Sequence, residues 1–292
     1  MKLTLKAYAK LNLLLDILSA LPNGYHDLFM VMQSVSLADE VTVETAAGSG
    51  ITLTCSDPHL PTDERNLAHK AATAFFSYFG LPAQGLSIRI EKHIPKAAGL
   101  AGGSADAAAV LRALFALFGK TPDVRTLIAI GAQVGSDVPF CALGGLMLAQ
   151  HTGTVLSFLP TQRFGAFVIV TPDHAVSTAA AYAAFDTAGR VRHTDRRGML
   201  DSIMTGDLDG VYRRVNNVFE QFIDVPERAQ IKAVMREHGA KCACMSGSGP
   251  SVFGVFEDET QAQTAADALK ARFSNVFVCR PVEQGTQTAH LS

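Results

Sequence analysis

The sequence predicts an α+β protein of two lobes, on three observations. At 292 residues the chain exceeds what one hydrophobic core usually organises. Stretches with the two-residue period of strands are interspersed with stretches at the three-to-four-residue spacing of helices. A second run of strands and helices begins at about Phe164, after a break near residues 155–163, so the lobes divide as 1–158 and 159–292. The composition is that of an ordinary globular protein: 48% hydrophobic, 18% charged, formal net charge −2. It has no basic excess that would point to nucleic acid or an anionic membrane surface. No apolar run reaches the ~18–20 residues of a membrane span. Lysines precede Leu13-Leu14-Leu15 as in a signal peptide, but Asn12 and Asp16 interrupt the run and no small-residue cleavage site follows. The five cysteines are scattered, and Cys242-x-Cys244 has the wrong spacing for a zinc knuckle or redox pair, so reduced thiols and the cytoplasm are expected.

Residues 2–13 alternate strictly, with Leu3, Leu5, Ala7, Ala9, Leu11 and Leu13 on one face and Lys2, Thr4, Lys6, Tyr8, Lys10 and Asn12 on the other. Lys10 and Asn12 therefore point the same way, on a face that pattern alone assigns to solvent. A turn at Leu21-Pro22-Asn23-Gly24 leads to Tyr25-His26, a pair able to stack on and hydrogen-bond a planar base as well as to pack conventionally. Val31 to Val43 reads as strand, broken by a turn at Leu37-Ala38-Asp39-Glu40. Ala68, Ala71, Ala72, Phe75, Phe76 and Phe79 mark a helix capped by Asn66. Ser87 to Glu91 alternates as a strand.

The stretch Pro95 to Ala109 runs a glycine-rich turn straight into an alanine-rich helix. Such a junction presents free backbone N–H groups and the positive end of the helix dipole, which suits a phosphate chain. A plain helix start capped by Ser104 accounts equally well for the glycines alone. Two familiar nucleotide loops are excluded. Gly119-Lys120-Thr121 lacks the upstream glycine of a P-loop, where Leu114 stands, and Pro122 follows. Gly247-Ser248-Gly249-Pro250-Ser251-Val252 has Val252 in the third small-residue slot of a dinucleotide fingerprint.

Leu127 to Val134 is helical and ends at Gly135-Ser136-Asp137-Val138-Pro139-Phe140, where Asp137 sits at a turn in an apolar setting. A buried carboxylate needs a partner, and Lys10 is a candidate. Leu146 to Gln150 is a strand. In the second lobe, Phe167-Val168-Ile169-Val170 reads as a buried strand, Ser177 to Phe185 as a helix, and Leu200 to Phe222 as largely helical. Ile231 to His238 and Ala262 to Phe273 are further helices. A Gly/Ser loop from Met245 runs into a strand, Asn275 to Cys279 is a short strand, and the tail from Glu283 is expected to fray.

Taken together, three segments resemble the motifs of the GHMP kinase superfamily, which includes the galactokinase, homoserine, mevalonate and phosphomevalonate kinases. They are Lys10 in Ala-Lys-Leu-Asn, Pro95–Ala109, and Met245–Val252. Ala9-Lys10-Leu11-Asn12-Leu13, Gly24-Tyr25-His26, Gly135–Phe140 and Asn216-Asn217-Val218-Phe219-Glu220 resemble one branch more closely, a branch acting on a cytidine-diphosphate-linked methylerythritol in non-mevalonate isoprenoid synthesis. The resemblance implies a ribosomal protein S5 domain 2-like N-terminal lobe, a ferredoxin-like C-terminal lobe, and an active site between them. It implies ATP and Mg2+, a small-molecule acceptor, no nucleic acid or membrane partner, and a monomer or homodimer.

Carried over residue by residue, Pro95, Lys96, Ala97, Ala98, Gly99, Leu100, Ala101, Gly102, Gly103, Ser104 and Ala105 would wrap the ATP phosphates. Ser104 would supply a hydroxyl near magnesium, with Asp106 a weaker candidate. Asn66, Leu67 and Lys92 would border the adenine. Asp137 would accept the acceptor's hydroxyl proton, and Lys10 would hold Asp137 ionised and orient that hydroxyl. Asn12 would contact the methylerythritol, Tyr25 and His26 the cytosine, with Tyr182 as a second aromatic wall. Ala101 stands where many members carry glycine, so a left-handed backbone is not expected there. The alternatives are a kinase for another small alcohol, against which Tyr25-His26 argues, and a silent nucleotide-binding protein, against which the presence of both Lys10 and Asp137 argues.

Overall fold

The alternation at the N-terminus continues well past residue 13. In the computed structural model, which describes every residue except Ala83 and Ser292, strand β1 spans Lys2–Ala20 and turns back through Gly24 into β2, His26–Ala46. The two pair antiparallel along their length, with Lys10 opposite Ser34 and Asn12 opposite Met32. No turn forms at Leu37–Glu40. Val35, Leu37, Asp39, Val41 and Val43 alternate inward without a break, and Asp39 takes a core-facing slot with no exposure.

β2 is long enough to carry two neighbours on its far edge. Its second half pairs with β4 (Gly85–Glu91), which pairs in parallel with β3 (Ile51–Cys55); its first half pairs with β5 (Leu146–His151), which continues to β6 (Val155–Phe158). Between β3 and β4 lies α1 (Leu67–Phe79). Between β4 and β5 come α2 (Gly102–Leu117), α3 (Val124–Val134) and α4 (Val138–Leu143). α1 and α2 meet through a cluster of Phe75, Phe76, Phe79, Phe115 and Phe118, whose rings lie 4.9–5.8 Å apart, mostly edge to face.

The second pattern forms its own sheet from β7 (Ala166–Val170), β9 (Cys242–Met245), β10 (Val252–Phe256) and β11 (Val276–Cys279), in the order β11-β7-β10-β9 and antiparallel throughout. Numbering those strands one to four gives the order 4-1-3-2 of a ferredoxin-like β-α-β-β-α-β unit. Its helices α8 (Arg228–Glu237) and α9 (Glu259–Lys270) cover one face, where Val168, Val170, Ile231, Met235 and Leu269 pack together. Phe167, Ile169 and Phe253 on the other face join the main core. Burial on both faces is why β7 reads as a continuous apolar run.

The stretch Leu200–Phe222 is largely helical, as its spacing predicts, but in separate pieces that include a short 3-10 turn at Val218–Gln221. After α5 (Thr178–Asp186), α6 (Arg196–Thr205) stops at Gly206 in the left-handed conformation and α7 (Leu208–Arg214) ends before an extended pair, β8 (Asn216–Asn217). β8 pairs in parallel with Leu14 and Leu15 of β1. The tail does not fray: β12 (Thr286–Leu291) pairs antiparallel with the outer edge of β1, and the Tyr8 hydroxyl donates to Gln287 Oε1 at 2.6 Å. The first sheet thus has eight strands among the described residues, two of them from late in the chain. No described helix is long and apolar enough to cross a membrane.

Candidate active site

The polar face of β1 turns inward. Tyr8, Lys10 and Asn12 are buried, Tyr8 against Gly285 and Gln287 of the returning C-terminal segment and Asn12 beneath a loop from the second lobe; the solvent-facing expectation fails there. That loop is the Gly/Ser stretch after β9. Gly247 N–H donates to Asn12 Oδ1 at 3.1 Å, and Asn12 N–H donates to Ser246 Oγ at 3.3 Å. From β8, the Asn217 amide donates to the carbonyls of Met245 and Gly247 at 2.8 and 2.7 Å. A buried asparagine with its polar atoms engaged is a rigid brace. Asn12 does not line the cleft; it supports Lys10, whose Nζ donates to its Oδ1 at 2.7 Å.

The same loop locks the glycine-rich turn. Lys10 N–H donates to Leu100 O at 3.1 Å, and Ser246 Oγ donates to Gly99 O at 3.0 Å. A Cβ on Gly99 would sit 2.1 Å from Ser246 O, so only glycine allows the approach. Ala97, Gly99 and Ala101 all have positive φ (49°, 74° and 60°), and left-handed residues recurring along a loop are the kind of backbone from which anion-binding concavities are built. Ala101 is therefore left-handed after all. It is the residue before α2, and no side chain caps that helix, so Ser104 is not its cap. Gly102, Gly103 and Ser104, whose N–H groups lie ahead of the first intrahelical bond, line the cleft instead. Leu100 and Ala105 are buried behind the loop, while Pro95–Gly99 and Ala101–Ser104 line it.

Asp137 precedes α4 and would ordinarily cap it, but its carboxylate makes no cap bond. Lys10 Nζ lies 3.7 Å from Asp137 Oδ2, the lysine buried and the aspartate about one-third exposed to the cleft. The pair is an ion pair and not a hydrogen bond, and a carboxylate with no hydrogen bond among the described residues is free to take a proton from a bound alcohol.

Lys92 reaches the cleft wall as part of a buried triad with Asp39 and Asp106. Its Nζ donates to both carboxylates, at 2.8 Å to Asp106 Oδ2. Burial works against the lysine ammonium, but the two aspartates overcome it and raise its pKa. Burial pushes the Asp106 carboxyl up to about 7; Lys92 pulls the other way and Asp39 adds to the rise. Asp106 Oδ1 is buried without a partner. Asn66 caps α1, its Oδ1 accepting from Ala68 N–H at 2.9 Å and its amide donating to Pro61 O at 2.7 Å, so both ends are engaged. Leu67 follows it on the wall.

Across the cleft, Tyr25 projects from the β1–β2 turn, 58% exposed. Tyr182 of α5 stacks on His26 with ring centroids 4.5 Å apart and planes 22° from parallel. His26 Nε2 meets Asp186 Oδ1 at 2.7 Å. Loop, base pair and aromatic group enclose one cleft of about 1020 Å³. Asp39 and Asp186 were not picked out from sequence. The inward alternation from Val35 to Val43 could have found Asp39; nothing local marks Asp186.

Residues 66–145 match the family described as GHMP kinases N terminal domain, and residues 199–275 that described as GHMP kinases C terminal. The 4-diphosphocytidyl-2-C-methyl-D-erythritol kinase of Clostridium perfringens is 38% identical over 283 residues, covering 95% of this chain and 98% of that protein. The protein of that name from Caldicellulosiruptor saccharolyticus is also 38% identical, over 96% of this chain and 97% of its own. A crystal structure of 4-(cytidine 5'-diphospho)-2C-methyl-D-erythritol kinase superposes with a TM-score of 0.78 at 32% identity, over 96% of this chain and 98% of that one. Homoserine kinase from Cytophaga hutchinsonii shares the fold, with a TM-score of 0.80 at 21% identity over 98% and 97% of the two chains.

Proposed function

This chain belongs to the GHMP kinase family, and on that premise we propose its reaction: transfer of the γ-phosphoryl group of ATP to 4-diphosphocytidyl-2-C-methyl-D-erythritol. The acceptor is the 2-hydroxyl of the methylerythritol, and the product feeds non-mevalonate isoprenoid synthesis. The observation that carries the reading is Lys10 held 3.7 Å from an uncapped Asp137 carboxylate in a cleft shared with the phosphate-binding turn.

Phosphoryl transfer needs little covalent help from a protein; positioning and charge stabilisation do most of the work. The N–H groups of the loop and of the first turn of α2 hold the ATP phosphates. Asp137 takes the proton of the acceptor hydroxyl as the oxygen attacks, and the Lys10 ammonium beside it orients that oxygen and offsets the gathering charge. Asn12 keeps Lys10 in place. Tyr25 and His26 take the cytosine.

For magnesium, the fitting donors on the cleft wall are the Ser104 hydroxyl, which makes no hydrogen bond among the described residues, and the orphaned Asp106 Oδ1. One or two protein oxygens suffice for an ion that phosphates and water otherwise surround. The ion would neutralise phosphate charge.

A coupled ADP-release assay with magnesium-ATP and a panel of alcohols tests the reading. The panel holds the cytidine-linked methylerythritol, mevalonate, homoserine and galactose. Turnover confined to the first is the expected outcome; turnover with another alcohol, or ATP binding with no turnover at all, refutes it.

A further inference from the structure

Asp186 sits at the last turn of α5, a helix that after Thr178 is otherwise made of alanines and aromatic residues. It contributes nothing to phosphates or proton transfer. Its carboxylate accepts a 2.7 Å hydrogen bond from Nε2 of His26, whose imidazole is buried and clamped face to face by Tyr182 and edge-on by Phe185, at 5.9 Å between centroids.

A carboxylate can only accept, so the proton in that bond belongs to Nε2. The hydrogen bond made by one imidazole nitrogen fixes the state of the other. In the neutral ring Nδ1 is then a bare lone pair, and among the described residues it makes no hydrogen bond. His26 lines the cleft beside Tyr25. A lone pair there accepts from an exocyclic amine and repels a carbonyl oxygen. Cytosine and uracil differ at that position: the first carries an amine, the second a carbonyl.

The geometry points to Asp186 as the positioning residue that sets base specificity. By fixing the tautomer of His26 it makes the cleft accept a cytidine diphosphate and reject the uridine counterpart. The inference rests on the cytidine reading given above. It concerns this aspartate and the discrimination it produces, neither of which the proton-transfer chemistry requires.

The test uses the full-length protein with CDP and UDP as competitors against the cytidine-linked substrate at saturating ATP. The wild type should bind CDP about tenfold or more tighter than UDP, the range lost when a polar group meets the wrong partner. Asp186→Ala should bring that ratio towards one, with the loss falling on KM for the cytidine substrate and not on KM for ATP. Asp186→Asn keeps a hydrogen-bonding group but allows either tautomer, so it should restore affinity while leaving discrimination weak. Imidazole nitrogen chemical shifts, assigned with His26→Gln, should show Nδ1 unprotonated in the ligand-free wild type at pH 8 and a tautomer mixture in Asp186→Ala. A CDP-to-UDP ratio unchanged in Asp186→Ala, or a protonated Nδ1 in the wild type, overturns the inference while leaving the kinase reading standing. A wild type that binds ATP but neither CDP nor the cytidine-linked substrate overturns both.

Discussion

Asp137 precedes a six-residue helix and leaves its side chain uncommitted, forgoing a cap bond of about 1 kcal/mol. A residue kept idle structurally is cheap to change structurally. Asp137→Asn should lower turnover roughly 10²–10⁴-fold, the usual range for a lost general base. Its melting temperature and ATP affinity should stay near wild type; turnover within a few-fold of wild type would remove Asp137 from the base role. Tyr25 is the mirror case, an exposed ring with little to lose in folding. Tyr25→Ala should raise KM for the cytidine substrate about tenfold, as base–aromatic stacking commonly does, with an unchanged KM arguing against stacking. The shared direction of Lys10 and Asn12 was legible from a two-residue period. Their burial was not, because the loop that covers them lies 235 positions along the chain from Asn12.

At the scale of elements, the junction of the two glycine-bearing loops is main chain against main chain. Gly99→Ala would place a methyl group 2.1 Å from Ser246 O at a residue with φ of 74°. We expect a loss of about 2–3 kcal/mol or more in urea unfolding, together with weakened ATP binding by calorimetry. Wild-type ATP affinity in that variant would mean the loops need not touch. Glycine spacing made a glycine-rich turn into α2 readable, and ordered co-occurrence with the Lys10 and Met245 motifs made the resemblance to the family specific. The conformation of Ala101 was unreadable, since a left-handed alanine costs about 1–2 kcal/mol and local preference argues against it; the packed surroundings over-determine it. Leu37–Glu40 was misread because a charged pair in a strand looks like a turn until its lysine, 53 residues on, is known.

For the molecule as a whole, the Asp39–Lys92–Asp106 triad couples stability to pH. An aspartate titrates near 3.9 in an unfolded chain, whereas Asp106 does so at about 7 in the fold. The folded protein therefore holds this proton through the interval between the two values. The stabilisation is complete below about 4, falls as pH rises by up to about 1.4 kcal/mol per unit, and is gone above the folded value. Asp106→Asn retains an acceptor for Lys92 and should flatten this slope in urea unfolding between pH 5 and 8. Equal slopes in the two proteins would exclude Asp106 as the source. The division into two lobes was legible from length and from the second pattern after Phe164, while the return of β8 and β12 to the first sheet was not, since neither segment carries a local sign of its distant partner.

That return has a consequence for synthesis. β1 leaves the ribosome ahead of both late partners, so Leu14 and Leu15 wait for Asn216 and Asn217, and Leu3 to Ala7 wait for Thr286 to Leu291. Until then a nascent chain carries an apolar strand with one unpaired edge, the kind of surface that recruits other chains. The strand bearing Lys10 is among the earliest made and among the last finished, so protection by chaperones during translation bears directly on the yield of a complete cleft.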